Sequence, residues 1–147
     1  MITYKSGDIF TSNCQALVNP VNCVGVMGRG LALEFKEKYP ENFRVYKTIC
    51  GRGKMKIGRM LSIIDGGRII VNFPTKLHWR QKSKLAYIEQ GLDDLVSRTI
   101  TLFSIRSIAV PALGCGLGGL DWTEVKPLLD EKLVRLNSVN VEVYEPR

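Results

Sequence analysis

Strand-like and helix-like segments alternate along the whole of a 147-residue chain, with no repeat, linker or low-complexity tract between them. That pattern confines the fold to the α/β class, a mixed sheet with helices packed on it. "MITYKSGDIF" begins as a strand, and "ALVNPVN" (16–22) reads as a short buried strand bounded by Pro20. "GRGLALEFKEKYP" reads as a helix that starts after glycines and stops at Pro40, and "ENFRVYKTIC" as a second helix ended by Gly51. "GRMLSII" and "RIIVNFPT" are rich in β-branched residues, and Asp65-Gly66-Gly67 between them is a hairpin signal. From Ser83, the apolar residues Leu85, Ile88, Leu92, Leu95 and Val96 trace the stripe of an amphipathic helix. "SIAVPAL", a glycine loop, a helix over 122–136 and the strand "VNVEVYE" complete the chain. At this length and with 45% apolar residues, one compact domain over 1–147 is expected.

Two loops at strand exits are unusually rich in glycine. "GCGLGGLDW" (114–122) places four glycines in its first six residues, and "NCVGVMGRG" carries Gly25, Gly28 and Gly30. Gly114, Gly116 and Gly119 satisfy G-x-G-x-x-G, the fingerprint of a dinucleotide-binding turn. A dehydrogenase places that turn in its first βαβ unit, whereas only one helix and one strand follow it here, so that class is rejected. What survives is local: glycines let the backbone approach a phosphate, and the helix N-terminus behind them offers free N–H groups. Two such loops would grip one pyrophosphate from both sides; the competing reading is a pair of structural turns. At the second loop, Asp121 with Glu124 fits an acidic capping box, but Pro127 then lies deep in the helix. Thr123 as the cap would ease that cost, and both caps remain open.

Charge and composition narrow the partners. Lys and Arg outnumber Asp and Glu by 21 to 14, a formal net charge of +7 that favours polyanions. Cys14, Cys23, Cys50 and Cys115 form no C-x-x-C pair, and one histidine does not complete a zinc set with them, so reduced thiols and no metal are expected. No apolar run reaches the roughly 18 residues of a membrane span, and no signal peptide is evident. A cytoplasmic protein without membrane partners is the expectation.

"GDIF", "ALVNPVN", "MGRGLALEF", "NFPTKLHWR" and "PALGCGLGGLDW", in this order, resemble a macrodomain over essentially the whole chain. "FPTK-x-HWR" with "GCGLGGLDW" is similar to the DNA ADP-ribosyl glycohydrolase antitoxins of DarTG systems, relatives of the human terminal ADP-ribose glycohydrolase that uses a lysine. The resemblance implies a three-layer α/β/α fold with a mixed central sheet, ADP-ribose in a cleft at the strand ends, and removal of ADP-ribose from a DNA base, thymine in single-stranded DNA. It implies no metal or other cofactor. It also implies a DNA ADP-ribosyltransferase toxin as partner, which antitoxins of this type usually engage through a further C-terminal region.

Carried over by residue, Asp8, with Ile9 beside it, matches the aspartate that accepts from the adenine amino group; on its own it reads as a turn or cap aspartate. Asn22 matches the asparagine near the distal ribose, and otherwise reads as a strand-end amide capping loose backbone. Gly28 and Gly30 fall in the first phosphate loop, and Gly114, Gly116, Leu117, Gly118 and Gly119 in the second. Lys76 matches the lysine of the lysine-dependent branch, the expected catalytic residue. A neutral amine can attack the anomeric carbon of the distal ribose, which requires a depressed pKa that Arg80, Lys82 or Lys84 would favour by repulsion. A charged Lys76 would instead steady the departing base. One departure stands out: the human relative has an acidic residue where this chain has Gly118. That removes the obvious general acid or base and makes a non-catalytic ADP-ribose reader a competing expectation, beside removal of ADP-ribose from protein side chains. Cys115 as nucleophile is a weaker reading than a small loop residue. His78, Trp79 and Arg80 combine an imidazole, an aromatic ring and a guanidinium, which suits single-stranded nucleic acid; Trp79 plugging the core is the competing reading.

Overall fold

A computed structural model describes residues 1–147. Six strands form one sheet: β1 (Ile2–Lys5), β2 (Ala16–Asn22), β3 (Leu61–Asp65), β4 (Arg68–Lys76), β5 (Ser107–Val110) and β6 (Asn140–Tyr144), in spatial order β1-β6-β5-β2-β4-β3. Every neighbouring pair is parallel except β3–β4. The exception is the hairpin at Asp65-Gly66-Gly67, where Gly66 and Gly67 have φ of +59° and +79°. A two-residue turn with both φ values positive matches the twist of the flanking strands, and glycine adopts it without a Cβ penalty.

Helices α1 (Gly30–Lys38) and α2 (Pro40–Gly51) cover one face of the sheet, and α3 (Leu85–Asp94) and α5 (Trp122–Leu133) the other. A π turn at Leu95–Thr99 and a short α4 (Ile100–Leu102) prolong α3. The expected three-layer α/β/α arrangement is what the chain adopts. The larger core, with Val18, Val71, Phe73, Ile108 and Val141 from the sheet, lies under α3 and α5. Gly91 lets α3 settle there, since a Cβ at that position would overlap the Phe73 ring. On the opposite face Asn42 of α2 and Asn72 of β4 exchange two hydrogen bonds, 3.1 and 2.8 Å, so the buried amides satisfy one another.

Several boundaries differ from the sequence expectation for physical reasons. Pro40 does not merely stop a helix; it is the first residue of α2, where a missing N–H leaves nothing unsatisfied. β2 runs through Pro20 to Asn22. Its pairing with β5 covers only Ala16↔Ile108 and Leu17↔Ala109, so beyond Leu17 the β5 side of the strand has no ladder for proline to interrupt. Ile9–Thr11 forms a 3-10 turn rather than a continuation of β1. At α5 the cap is Asp121, which accepts from the Thr123 N–H at 2.9 Å, and Pro127 lies inside the helix. No helix is long and apolar enough to cross a membrane.

Candidate functional site

The separation of β2 from β5 beyond Leu17 opens a crevice at the C-terminal edge of the parallel strands. The chain leaves β2 toward α1 on one face and leaves β5 toward α5 on the other, and such a switch point is where open α/β sheets hold ligands. A cleft of about 880 Å³ lies there, within the size range of small-molecule sites. One wall is the first loop with the start of α1: Val26, Gly28, Arg29, Gly30 and Leu31. The second loop supplies Pro111, Gly114, Gly116, Leu117 and Gly118. Thr75, Lys76, Trp79 and Arg80 close the β4 end, and Gly7, Ile9 and the tail Tyr144–Arg147 the other.

Backbone N–H groups are the main polar resource of the two loops. Arg29, the residue before α1, has no side-chain hydrogen bond to the helix, so its first N–H groups stay uncapped beside the positive end of the dipole. In the second loop the N–H groups of Cys115, Gly119 and Leu120 bond to Ala112, Gly116 and Gly114 carbonyls, while those of Gly116, Leu117 and Gly118 bond nothing in the chain. Three consecutive free N–H groups on a tight loop make a nest for an anion. The expectation that the helix behind this loop also offers free N–H groups is corrected: Asp121 caps α5. The loops nearly meet, because a Cβ on Gly30, whose φ is +58°, would lie 3.5 Å from Leu117 Cδ1.

Gly118 is glycine for want of space. A Cβ there would overlap Ser83 Oγ and stand 2.6 Å from the Gly114 carbonyl oxygen. The Ser83 N–H donates to the Gly118 carbonyl at 2.9 Å, which ties the second loop to the segment after β4. No acidic side chain fits at this position. The carboxylates that do line the cleft, Glu34 and Glu145, sit on α1 and after β6. β6 is three strands from β4, which puts Glu145 roughly 14 Å from the strand that carries Lys76.

Asn22 reaches the cleft, but its amide is largely engaged. Oδ1 accepts from the Val24 N–H (3.0 Å), the Val26 N–H (3.4 Å) and the Tyr46 hydroxyl (2.8 Å), and Nδ2 donates to the Val26 carbonyl (2.8 Å). One amide hydrogen is left for a ligand. The residue therefore shapes the first loop as its principal work. Asp8 flanks the cleft between Gly7 and Ile9; its Oδ1 accepts from the Phe10 N–H at 2.9 Å and lies 3.8 Å from Arg147 Nη2, while Oδ2 bonds nothing in the chain.

A bulge aims Lys76. The β2–β4 register runs Val21↔Pro74 and then Asn22↔Lys76, so Thr75 is the extra residue and Lys76 comes opposite Asn22. An inserted residue redirects the following side chain. Lys76 Nζ donates to the Trp79 carbonyl at 3.4 Å. Burial lowers its pKa, and the Lys82 ammonium lowers it further. Of the three cations considered from sequence, Lys82 is the one that acts. Lys82→Gln therefore raises the Lys76 pKa, and the acid limb of any activity that needs the neutral amine moves to higher pH; a pH–rate profile of both proteins checks this.

His78, Trp79 and Arg80 are only partly brought to the site. Trp79 and Arg80 line the cleft and stack, with the guanidinium 4.6 Å from the ring centroid. At 44% exposure Trp79 is no core plug. His78 packs on Trp79 and its Nδ1 accepts from the Arg80 N–H at 3.1 Å, outside the cleft lining. Gly119 also lies outside it, beneath Lys82. Burial, with Asp121 adding, pushes the Cys115 thiol up to about 11, which disfavours it as a nucleophile. Sequence reasoning missed the tail Tyr144–Arg147, although the signal existed: a last strand parallel to its neighbours must end at the ligand edge.

Uncapped amides on two facing loops, with an amine at one end, define an α/β protein built to hold an anionic ligand. The chain belongs to the macrodomain family, whose model, described as "Macro domain", matches residues 18–129. It is 51% identical over 150 residues to the "DNA ADP-ribosyl glycohydrolase" of Mycobacterium tuberculosis (strain ATCC 25618 / H37Rv), covering 99% of this chain and 42% of that protein. The chain thus spans less than half the length of this curated relative. The solved structure described as "Macrodomain of Mycobacterium tuberculosis DarG" superposes with a TM-score of 0.97 at 50% identity, over 100% of this chain and 99% of that one. "Thermosipho africanus DarTG in complex with ADP-ribose" does so with a TM-score of 0.92 at 36% identity, over 99% of this chain and 41% of that one.

Proposed function

We propose that residues 1–147 act as one macrodomain that hydrolyses the bond between ADP-ribose and a base of single-stranded DNA, thymine being the base, and so reverses the action of a DNA ADP-ribosyltransferase toxin. The observation that carries this reading is the convergence of Lys76 with two amide-lined loops in one cleft. The loops take the diphosphate, Asp8 Oδ2 and Ile9 take the adenine end, and the distal ribose lies toward Asn22 and Lys76. Relatives named for this activity, and a related structure named for its ADP-ribose, support the assignment.

The position of Lys76 at the β4 end of the cleft suits nucleophilic chemistry, and burial with the Lys82 charge favours its neutral form. The neutral amine attacks the anomeric carbon, a C–N bond forms, and the bond to the base breaks as the base nitrogen recovers a proton. Ring opening gives a Schiff-base adduct; water then adds, releasing ADP-ribose and the free amine. No cofactor takes part. The setting is the cytoplasm, where the toxin and the DNA would be met. Trp79 and Arg80 offer a stacking face and a cation to the strand at the cleft mouth.

Incubation with a single-stranded oligonucleotide carrying ADP-ribosyl-thymidine, followed by mass analysis, is expected to yield unmodified thymidine and free ADP-ribose. A panel of ADP-ribosylated peptides run beside it is expected to stay intact. The lack of a carboxylate next to Lys76 favours one second reading, a reader that binds ADP-ribose without cleaving it. Tight binding of free ADP-ribose with no release from either substrate would establish that reading.

A further inference from the structure

A second hollow, of about 210 Å³, lies at the β3 edge of the sheet, bordered by Lys54 and Arg59 and floored by Ile49, Met55, Met60 and Leu61. The segment between α2 and β3 belongs to a stretch without a carboxylate from Glu41 to Asp65, and its Arg52, Lys54, Lys56 and Arg59 are exposed and form no ion pair. Arg98 also borders the hollow but is committed to Asp94 through bonds of 2.8 and 2.9 Å. Asp94 also feels the Arg59 charge, but one carboxylate against Lys54, Arg59 and Arg98 leaves a net excess of two positive charges around an apolar floor. That pairing suits a nucleotide unit, with a phosphate on the cations and a base covering the aliphatic floor by apolar burial. The volume is below that of sites that enclose a whole small molecule.

The register relates this hollow to the cleft. Leu61 pairs with Asn72, four residues before Lys76 on the adjacent strand, so the two points are about 14 Å apart at the usual strand rise and spacing. That span is roughly four nucleotides at about 3.4 Å per stacked nucleotide. On the β4–α3 side Arg80, Lys82 and Lys84 are exposed and likewise without ion pairs. The α2–β3 segment itself packs on α3, the helix that follows Lys84: a Cβ on Gly58 would lie 3.3 Å from Gln90 Cβ.

We propose that the hollow is a second nucleic-acid subsite, which holds one nucleotide of the single strand whose modified base occupies the cleft. This rests on the DNA reading of the cleft. Paired bases in a duplex would present no face to the floor, so the subsite selects single strands.

The test is Lys54→Gln/Arg59→Gln against wild type, with an unmodified fluorescein-labelled 12-nucleotide oligothymidylate read by anisotropy across a salt series, and free ADP-ribose read by calorimetry. The double variant is expected to bind the 12-mer about 10-fold more weakly at low salt. Its slope of log affinity against log salt should shrink by about 0.7, the value for one lost phosphate contact on a single strand. ADP-ribose affinity is expected to stay unchanged, which also reports an intact fold. Unaltered 12-mer affinity and slope would overturn the subsite whether or not the protein releases ADP-ribose from DNA. Weakened 12-mer binding in a protein that releases nothing would uphold the subsite while the hydrolase reading fails.

Discussion

Lys76→Ala should bind free ADP-ribose as the wild type does yet lose about 10³-fold or more in turnover of an oligonucleotide carrying ADP-ribosyl-thymidine, since even one acid–base group typically contributes about that much. Affinity is preserved because the loops supply the anion contacts through backbone N–H groups, none of which Lys76 holds in place. Turnover is lost because no other group lining the β4 end of the cleft can replace the amine; Lys82, whose charge acts on Lys76, lies over Gly119 outside that lining. Arg80 offers a guanidinium, which is no nucleophile, Thr75 Oγ1 donates to the Val21 carbonyl at 3.3 Å, and the carboxylates Glu34 and Glu145 belong to other elements. Lys76→Arg separates the two roles weighed for the residue. A guanidinium keeps the charge and gives up the nucleophile, so this variant is expected to be as inactive as the alanine. Cyanoborohydride added during turnover should reduce the adduct to a secondary amine, seen as a mass increase on the wild-type protein alone. Near-normal turnover by Lys76→Ala would remove the lysine from the mechanism.

What the sequence made legible was whatever local chemistry decides. Asp65-Gly66-Gly67 announces a hairpin because only glycine tolerates two positive φ values there at no cost. The stripe from Leu85 to Val96 announces α3 because its period is helical. The glycine loops stood out for the same reason, and the cleft lies between them. What escaped depends on distant partners. The bulge that turns Lys76 into the cleft exists in the pairing of β4 with β2 and leaves no mark in "NFPTK". The sequence offers Asn22 as a ribose ligand or a strand-end cap; Tyr46, 24 residues away, fills one of its acceptor sites and makes it a loop organiser. Lys82 could not be told from Arg80 or Lys84 as the cation that acts on Lys76, since all three follow the same strand and only the fold ranks them.

Gly118→Ala is the second large effect, and its argument is steric rather than conformational, because Gly118 does not adopt a positive φ. The new methyl would collide with Ser83 Oγ, which a rotamer change can relieve, and with the Gly114 carbonyl oxygen at 2.6 Å, which it cannot. That carbonyl accepts from the Leu120 N–H at 2.9 Å, so moving it opens the turn that holds the N–H groups of Gly116, Leu117 and Gly118 together. Overpacking of this kind costs about 1–3 kcal/mol. Charged to the loop, a cost near the upper end weakens ADP-ribose by about 100-fold. Calorimetry should record that loss. Gly116→Ala is the matched control: its Cβ would meet nothing within 4 Å and its φ is not positive, so affinity should hold. Adding Ser83→Ala to Gly118→Ala removes the hydroxyl collision but leaves the carbonyl one, and is expected to recover little. Full recovery by that double variant would mean that Ser83, and not the turn, accounts for the missing side chain. Equal affinity of Gly118→Ala and wild type would show that the free N–H groups of this loop do not hold the diphosphate.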